Sequence, residues 1–89
     1  MRYIWATRGH EWGFTFLKDG GFPDPLPIYE AAFANTDPRL STLRFTDPEG
    51  RTDRAGRPIE HDFVFIDEPN PPTVEEIWAL VADEYALKY

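Results

Sequence analysis

The sequence predicts a single α+β domain, residues 1–89, whose elements follow the order ββαββα. Large apolar residues alternate with polar or small ones in four short segments, as is typical of strands, and they recur at helical spacing in two others. Gly, Pro and Asp cluster between these segments, where turns are expected. A chain of 89 residues buries enough surface for one small hydrophobic core but not for two.

The first two strands form a predicted N-terminal hairpin. Residues 3–7 and 12–18 alternate between large apolar side chains and smaller or polar ones. Residues 8–11 are polar and contain a glycine, so we expect the hairpin turn there. The sequence Asp-Gly-Gly at residues 19–21 ends the second strand.

A short helix is predicted next. Asp24 is suited to the N-cap, and Pro25 to the first helical position, where a missing backbone N–H leaves no hydrogen bond unmade. Ile28 and Phe33 belong to an apolar stripe at helical spacing. Pro38 lies beyond the expected end of this helix, near residue 35.

The third and fourth strands are predicted at residues 40–46 and 59–66 from the same alternation. Residues 47–50 form a predicted turn with Pro at its second position and Gly at its fourth, and the polar residues 51–57 extend the tip of this second hairpin. Four apolar or aromatic positions of the fourth strand are expected to share one face: Ile59, His61, Phe63 and Phe65.

The C-terminal helix has the clearest local signal. Thr73 and Glu76 form a capping box, in which each side chain accepts a hydrogen bond from the backbone N–H of the other residue. The helix is expected to end near Leu87. Its apolar stripe consists of Val74, Ile77, Trp78, Val81 and Tyr85.

Together these elements predict a four-stranded, mostly antiparallel sheet with both helices packed on one face. A shift of the chain by 49 residues overlays the helix cap Asp24 on Thr73 and also superimposes several aromatic positions. This leads to the hypothesis of two similar ββα halves, 1–38 and 39–89. The alternative is that any strand–turn–helix unit requires such a pattern.

Composition excludes several functional classes. Nine Lys and Arg against sixteen Asp and Glu give a net charge of −7, which disfavours binding to nucleic acids. The absence of cysteine excludes disulfides and thiolate sites and favours a reducing compartment. No apolar run is long enough to span a membrane, and the first residues lack the apolar region of a signal peptide. We expect a soluble, cytoplasmic protein without a cofactor or a metal.

Charge is distributed unevenly along the chain. Residues 39–57 carry five Arg against three acids, whereas residues 58–87 carry eight acids and no Lys or Arg. Arg51, Arg54 and Arg57 lie on the predicted tip of the second hairpin, and guanidinium groups bind carboxylates and phosphates well. The tip is therefore a candidate contact surface for an acidic protein partner or a phosphate.

The alternative for this tip is a solvated loop, in which Glu49 and Asp53 pair internally with the arginines. Such internal pairing would not exclude a partner, because exposed ion pairs contribute only about 0–1 kcal/mol.

The two histidines, His10 and His61, each precede a carboxylate, as in acid–base sites. Neighbouring residues of a strand point to opposite faces, so His61 and Asp62 are not expected to act together. The spacing typical of metal ligands is missing. We favour structural or surface roles for both histidines, and a catalytic pair remains the alternative.

From these observations we predict a small protein-interaction or accessory module, not an enzyme, which acts as a monomer or homodimer. It is expected to bind another protein through the Arg-rich hairpin tip and exposed aromatic residues. One alternative is an acidic inhibitor or immunity-type protein that binds a basic partner; another is a small hydrolase or nuclease that uses His10 and His61. The predicted docking surface comprises Arg8, His10, Trp12, Arg51, Arg54, Arg57 and His61.

Overall fold

The fold is a single four-stranded antiparallel sheet with two helices, seen in a computed structural model that describes residues 1–10 and 13–88. The strands follow the order β2-β1-β4-β3 across the sheet. This arrangement confirms the predicted α+β class and the order ββαββα. The elements are β1 (Tyr3–His10), β2 (Gly13–Lys18), α1 (Leu26–Phe33), β3 (Leu40–Thr46), β4 (Glu60–Ile66) and α2 (Val74–Lys88).

The central strands β1 and β4 pair without interruption, from Tyr3 opposite Phe65 to Arg8 opposite Glu60. β3 pairs with β4 in the same regular way along its whole length. The pairing of β1 with β2 is irregular, with two shifts of register. Because side chains alternate between the faces, this register sorts the residues of β1 and β4 into two sets.

The two sets are covered by different helices. On one face, Trp5 and Phe63 pack with Tyr85 of α2, and we call this the α2 face. On the other, Ile4 and Val64 pack against α1, and we call this the α1 face. The sheet is thus the middle of three layers.

The prediction that both helices lie on one face was therefore wrong. The helices lie on opposite faces because the central strands carry apolar residues on both sides: Ile4 and Val64 are as fully buried as Trp5 and Phe63. A sheet that is apolar on both faces needs a covering layer on each.

The strand order also bears on the hypothesis of two similar halves. An internal duplication would make β1 equivalent to β3, and β2 equivalent to β4. In the sheet, however, β1 and β4 are central, whereas β2 and β3 are edge strands. The halves 1–38 and 39–89 therefore do not occupy equivalent positions, and their helices cover opposite faces.

Local signals at the helix ends act largely as predicted. The Thr73 N–H donates to Glu76 Oε1 at 3.0 Å and the Glu76 N–H donates to Thr73 Oγ1 at 3.2 Å, which confirms the capping box of α2. Asp24 lies one residue before the N-cap of α1, Pro25, and still accepts a hydrogen bond from the Leu26 N–H at 3.3 Å. α1 itself is shorter than predicted and ends at Phe33, before Asn35 adopts a φ of 58°.

The remaining element boundaries are close to those predicted. β3 spans Leu40–Thr46, as expected, and β4 begins at residue 60, one residue later than expected. β1 continues to residue 10, into the segment for which a turn was predicted. Within the described part of the chain, neither helix has the length and apolar character needed to cross a lipid bilayer.

Gly20, in the turn after β2, adopts a conformation that other residues rarely adopt. Its φ is +64°, and a Cβ on this residue would lie 2.6 Å from the backbone oxygen of Tyr3. The neighbouring Gly21 also has a positive φ, +88°, but a Cβ there would meet no atom within 4 Å. Gly20 thus allows the chain to pass directly against the start of β1.

Substitution of these two glycines separates the conformational effect from the steric one. We expect Gly20→Ala to lower the free energy of unfolding by at least ~2 kcal/mol, because it adds a backbone clash to left-handed strain, against about 1 kcal/mol for Gly21→Ala. Urea denaturation followed by tryptophan fluorescence measures both values. Equal losses would show that the contact with Tyr3 relaxes without penalty.

Candidate functional site

β3 and β4 are connected by residues 47–59, of which the segment 47–58, which we call the hairpin tip, forms two successive turns of one type. In the first turn, Asp47 Oδ1 accepts hydrogen bonds from the N–H groups of Glu49 and Arg51, at 2.9 and 3.5 Å. In the second, Asp53 Oδ1 accepts them from Ala55 and Arg57, both at 2.9 Å. The tip is therefore an ordered loop that two aspartates organise.

This order has a sequence signal that the arginine positions alone did not show. The pattern Asp-x-x-Gly-Arg occurs twice, at residues 47–51 and 53–57. Gly50 and Gly56 hold the same place in each copy and have φ values of 73° and 81°, which favour glycine. The repeat thus specifies two turns that each bring an arginine back to its aspartate.

The arginines of the tip form internal ion pairs. Arg51 Nη1 lies 2.8 Å from a carboxylate oxygen of Glu49 and 3.3 Å from one of Asp47, and Arg57 Nε lies 3.0 Å from Asp53. The alternative prediction, in which Glu49 and Asp53 pair with the arginines, is confirmed in this respect. Arg54 also has an interaction partner, so each arginine of the tip is engaged in contacts within the chain.

The partners in these pairs differ sharply in exposure. The side chains of Asp47 and Asp53 are 0% and 4% exposed, whereas that of Arg57 is 78% exposed. The two aspartate side chains thus lie inside the loop, whereas Arg54 and Arg57 lie on its outside. Of the acids in the tip, only Glu49 remains substantially exposed.

The environment of Asp47 favours its ionised form. Burial opposes ionisation, but hydrogen bonds from His61 and from the N–H groups of Glu49 and Arg51 hold the pKa of the Asp47 carboxyl below its ordinary value. In the second turn, the backbone hydrogen bond from Arg57 likewise lowers the pKa of Asp53.

A chain of hydrogen bonds attaches the tip to the hydrophobic core. Trp5 Nε1 donates to His61 Nδ1 at 3.2 Å, and His61 Nε2 lies 2.8 Å from Asp47 Oδ2. Because an indole N–H can only donate, Nδ1 must accept, and Nε2 therefore carries the proton that is donated to Asp47. A second attachment comes from Arg51, whose guanidinium lies 4.9 Å from the ring centre of Tyr85 in α2.

His61 is completely buried, and its ring packs against those of Trp78 and Tyr85 at centroid distances of 4.9 and 4.8 Å. It therefore cannot touch a partner or a substrate in this conformation, although it was included in the predicted docking surface. Its position gives it a different task, because it fixes the orientation of Asp47 and with it the first turn of the tip.

Asp62, the neighbour of His61, lies on the α1 face, so the prediction that the two cannot act together holds. Its carboxylate is completely buried. It accepts hydrogen bonds from Arg8 Nε at 3.1 Å, Arg44 Nε at 2.8 Å and the Tyr29 hydroxyl at 2.6 Å. Burial and the hydrogen bond to Asp62 raise the pKa of Tyr29, and the hydrogen bond to Asp62 raises that of Arg44.

The predicted docking residues are thus only partly brought together. Arg51, Arg57 and the buried His61 converge on the two aspartates of the tip. Arg8 lies on the α1 face and pairs with Asp62 and Glu60. The side chain of His10 and the whole of Trp12 lie outside the described residues. In the described part of the chain, no group of three or more acids or histidines is placed to hold a metal ion.

Comparisons with protein families, with curated proteins and with solved structures give no significant match to the chain.

The lowered pKa of Asp47 predicts a defined pH dependence of stability. Its pKa is lower in the folded than in the unfolded state, so its contribution is present above the ordinary carboxyl pKa and is lost as the pH falls through the folded pKa. We expect Asp47→Asn to reduce the slope of unfolding free energy against pH in this acidic range. At neutral pH it should lower stability by about 1–3 kcal/mol, because it weakens buried hydrogen bonds.

Urea titrations between neutral and strongly acidic pH measure this slope. Asp83→Asn, which removes an exposed carboxylate from α2, is the charge-matched control and should keep the wild-type profile. An unchanged slope in Asp47→Asn would contradict the role assigned to this carboxyl.

Proposed function

We propose that the protein is a protein-interaction module, not an enzyme, and that its hairpin tip docks on an acidic surface of another protein. The observation that carries the proposal is the orientation of charge in the tip: the side chains of Asp47 and Asp53 are buried, and Arg54 and Arg57 are exposed. A partner therefore meets arginine donors first, and these bind carboxylates in a directional way.

The attachment of the tip to the core supports this proposal. Association normally pays for the ordering of mobile loops and side chains, which weakens binding. Here the bonds from His61 to Asp47 and the packing of Arg51 on Tyr85 already hold the loop. Because the loop is already ordered, Arg54 and Arg57 can bind a partner with little further loss of conformational entropy.

The negative charge of the rest of the chain favours one orientation of the protein on an acidic partner. With a net charge of −7, most of the surface repels an acidic partner, so that productive encounters are directed to the tip. The same charge disfavours a nucleic-acid partner. The absence of cysteine is in keeping with a module that works in the cytoplasm.

The alternative of a hydrolase or nuclease has less support. It requires His61 to reach a substrate, but this side chain is completely buried and both of its ring nitrogens are engaged. A general acid or base must lie within hydrogen-bonding reach of the reacting group.

One observation favours a second candidate function, docking on a basic partner. The outer side of α2 carries two exposed leucines, Leu80 at 62% and Leu87 at 89%, beside the exposed acids Glu76 and Asp83. Apolar anchors with an acidic surround are suited to a basic, partly apolar protein surface. This is the surface that an acidic inhibitor would use.

The double variant Arg54→Gln/Arg57→Gln tests the principal proposal. Arg51 is kept, because it holds Asp47 and packs on Tyr85, and its removal would disturb the loop itself. We expect the variant to remain folded and to bind the partner at least about tenfold more weakly, which corresponds to ~1.4 kcal/mol. Affinity capture followed by calorimetry with the purified partner measures the change.

Lys18→Gln, which removes a cation from the opposite end of the sheet, is the control and should bind like the wild type. Undiminished binding by the arginine variant would overturn the proposal. If binding is instead lost in Leu80→Gln/Leu87→Gln and weakens steeply with added salt, the acidic face of α2 is the docking surface.

A further inference from the structure

A cavity of about 300 Å³ opens at the end of the sheet opposite to the hairpin tip. Its floor is apolar and is formed by Phe22, Ile28, Leu40 and Ile66, which also pack on the core of the α1 face. This volume is at the lower end of the range found for small-molecule sites, which are typically apolar with a few convergent polar groups.

Four charged residues line the cavity, and two of them neutralise each other. Arg39 Nε and Nη2 donate to the two carboxylate oxygens of Asp37 at 3.2 and 2.9 Å. The side-chain hydrogen bond from Arg39 lowers the pKa of Asp37, so the pair is ionised at neutral pH. Arg2 and Asp67 are the two charged residues of the lining that lie outside this hydrogen-bonded pair.

The Arg2 side chain is held in place, but not all of its hydrogen-bond donors are used. Its Nε donates to the backbone oxygen of Gly20 at 3.1 Å, and its guanidinium carbon lies 4.0 Å from the centre of the Phe22 ring. Among the described residues, its two terminal nitrogens have no hydrogen-bond acceptor. They present a planar pair of donors of the kind that binds a carboxylate.

Asp67 presents the opposite charge. Its φ of 51° places it in the left-handed region, where a non-glycine residue is uncommon, and its N–H donates to the backbone oxygen of Arg39 at 2.9 Å. Within the part of the chain that the structure describes, the Asp67 carboxylate makes no hydrogen bond. Its charge interacts with Arg39, whose pKa is raised mainly by the hydrogen bond to Asp37 and further by the charge of Asp67. The Ile66 N–H donates to the backbone oxygen of Arg2 at 3.1 Å, so Arg2 and Asp67 are close neighbours.

We propose that this cavity binds the zwitterion of a free α-amino acid with an apolar side chain. Its carboxylate would meet the terminal nitrogens of Arg2, its ammonium group the carboxylate of Asp67, and its side chain the apolar floor at Ile28 and Leu40. The reason is the combination, on neighbouring segments at the edge of an apolar cavity, of a cation with two unused terminal donors and an anion that accepts no hydrogen bond among the described residues. This site is independent of the proposed docking through the hairpin tip.

The first experiment is an NMR titration of the whole protein with L-phenylalanine and L-leucine. We expect saturable shifts at the methyl groups of Ile28, Leu40 and Ile66. Phenethylamine, which lacks the carboxylate, and 3-phenylpropionate, which lacks the amine, should each bind at least tenfold more weakly. Absence of saturable shifts would overturn the proposal. If phenethylamine or 3-phenylpropionate bound as tightly as L-phenylalanine, the proposal of a zwitterion would also be wrong, and the site would bind a simple amine or a simple acid.

Variants then assign the two charges. Arg2→Gln and Asp67→Asn should each raise the Kd for L-phenylalanine at least tenfold, and asparagine tolerates the positive φ at residue 67. Glu30→Gln, which removes an exposed acid from α1, is the charge-matched control and should leave the Kd unchanged. A Kd that is unaffected by Arg2→Gln and Asp67→Asn would overturn the assignment.

Discussion

His61 and Asp62 are consecutive in β4 and both are completely buried, but on opposite faces of the sheet. Each therefore needs polar partners from a different layer of the fold. His61 finds them in Trp5 and Asp47, and Asp62 finds them in two arginines and a tyrosine. Because an unpaired buried polar group costs about 1–3 kcal/mol, these contacts hold the neighbouring strands and the hairpin tip in one arrangement around β4.

The same two residues also specify the register of the central strands. A slip of β4 by one position would exchange the faces of His61 and Asp62. The carboxylate would then lie among the aromatic rings near Trp5, and the imidazole among guanidinium groups. Buried ionic groups often add little net stability compared with apolar replacements, but they penalise such alternatives. The order of the hairpin tip is a by-product of this constraint, since Asp47 is fixed by His61.

Local elements were predictable because their signals lie within a few residues, as for β3 at residues 40–46 and for the cap of α2. The faces covered by the two helices were not predictable. The alternation of apolar and polar residues divides a strand into two sets of side chains, but it does not determine which helix covers each set. At the site, the pairing of Arg57 with Asp53 follows from their spacing. The bond from Trp5 to His61 does not, because it depends on the pairing of β1 with β4. The cavity likewise combines segments that only the complete fold brings together.

The position of β1 beside β4 has a consequence for how the chain folds. The 49 residues between these strands must be closed into a loop before the central pair can form, whereas β1–β2 and β3–β4 are local hairpins. Local hairpins close in microseconds, and long-range pairing is slower. We expect two preformed hairpins to meet edge to edge in the limiting step of folding. Until they do, each offers an unpaired central strand, which is the edge most open to pairing with another copy during synthesis.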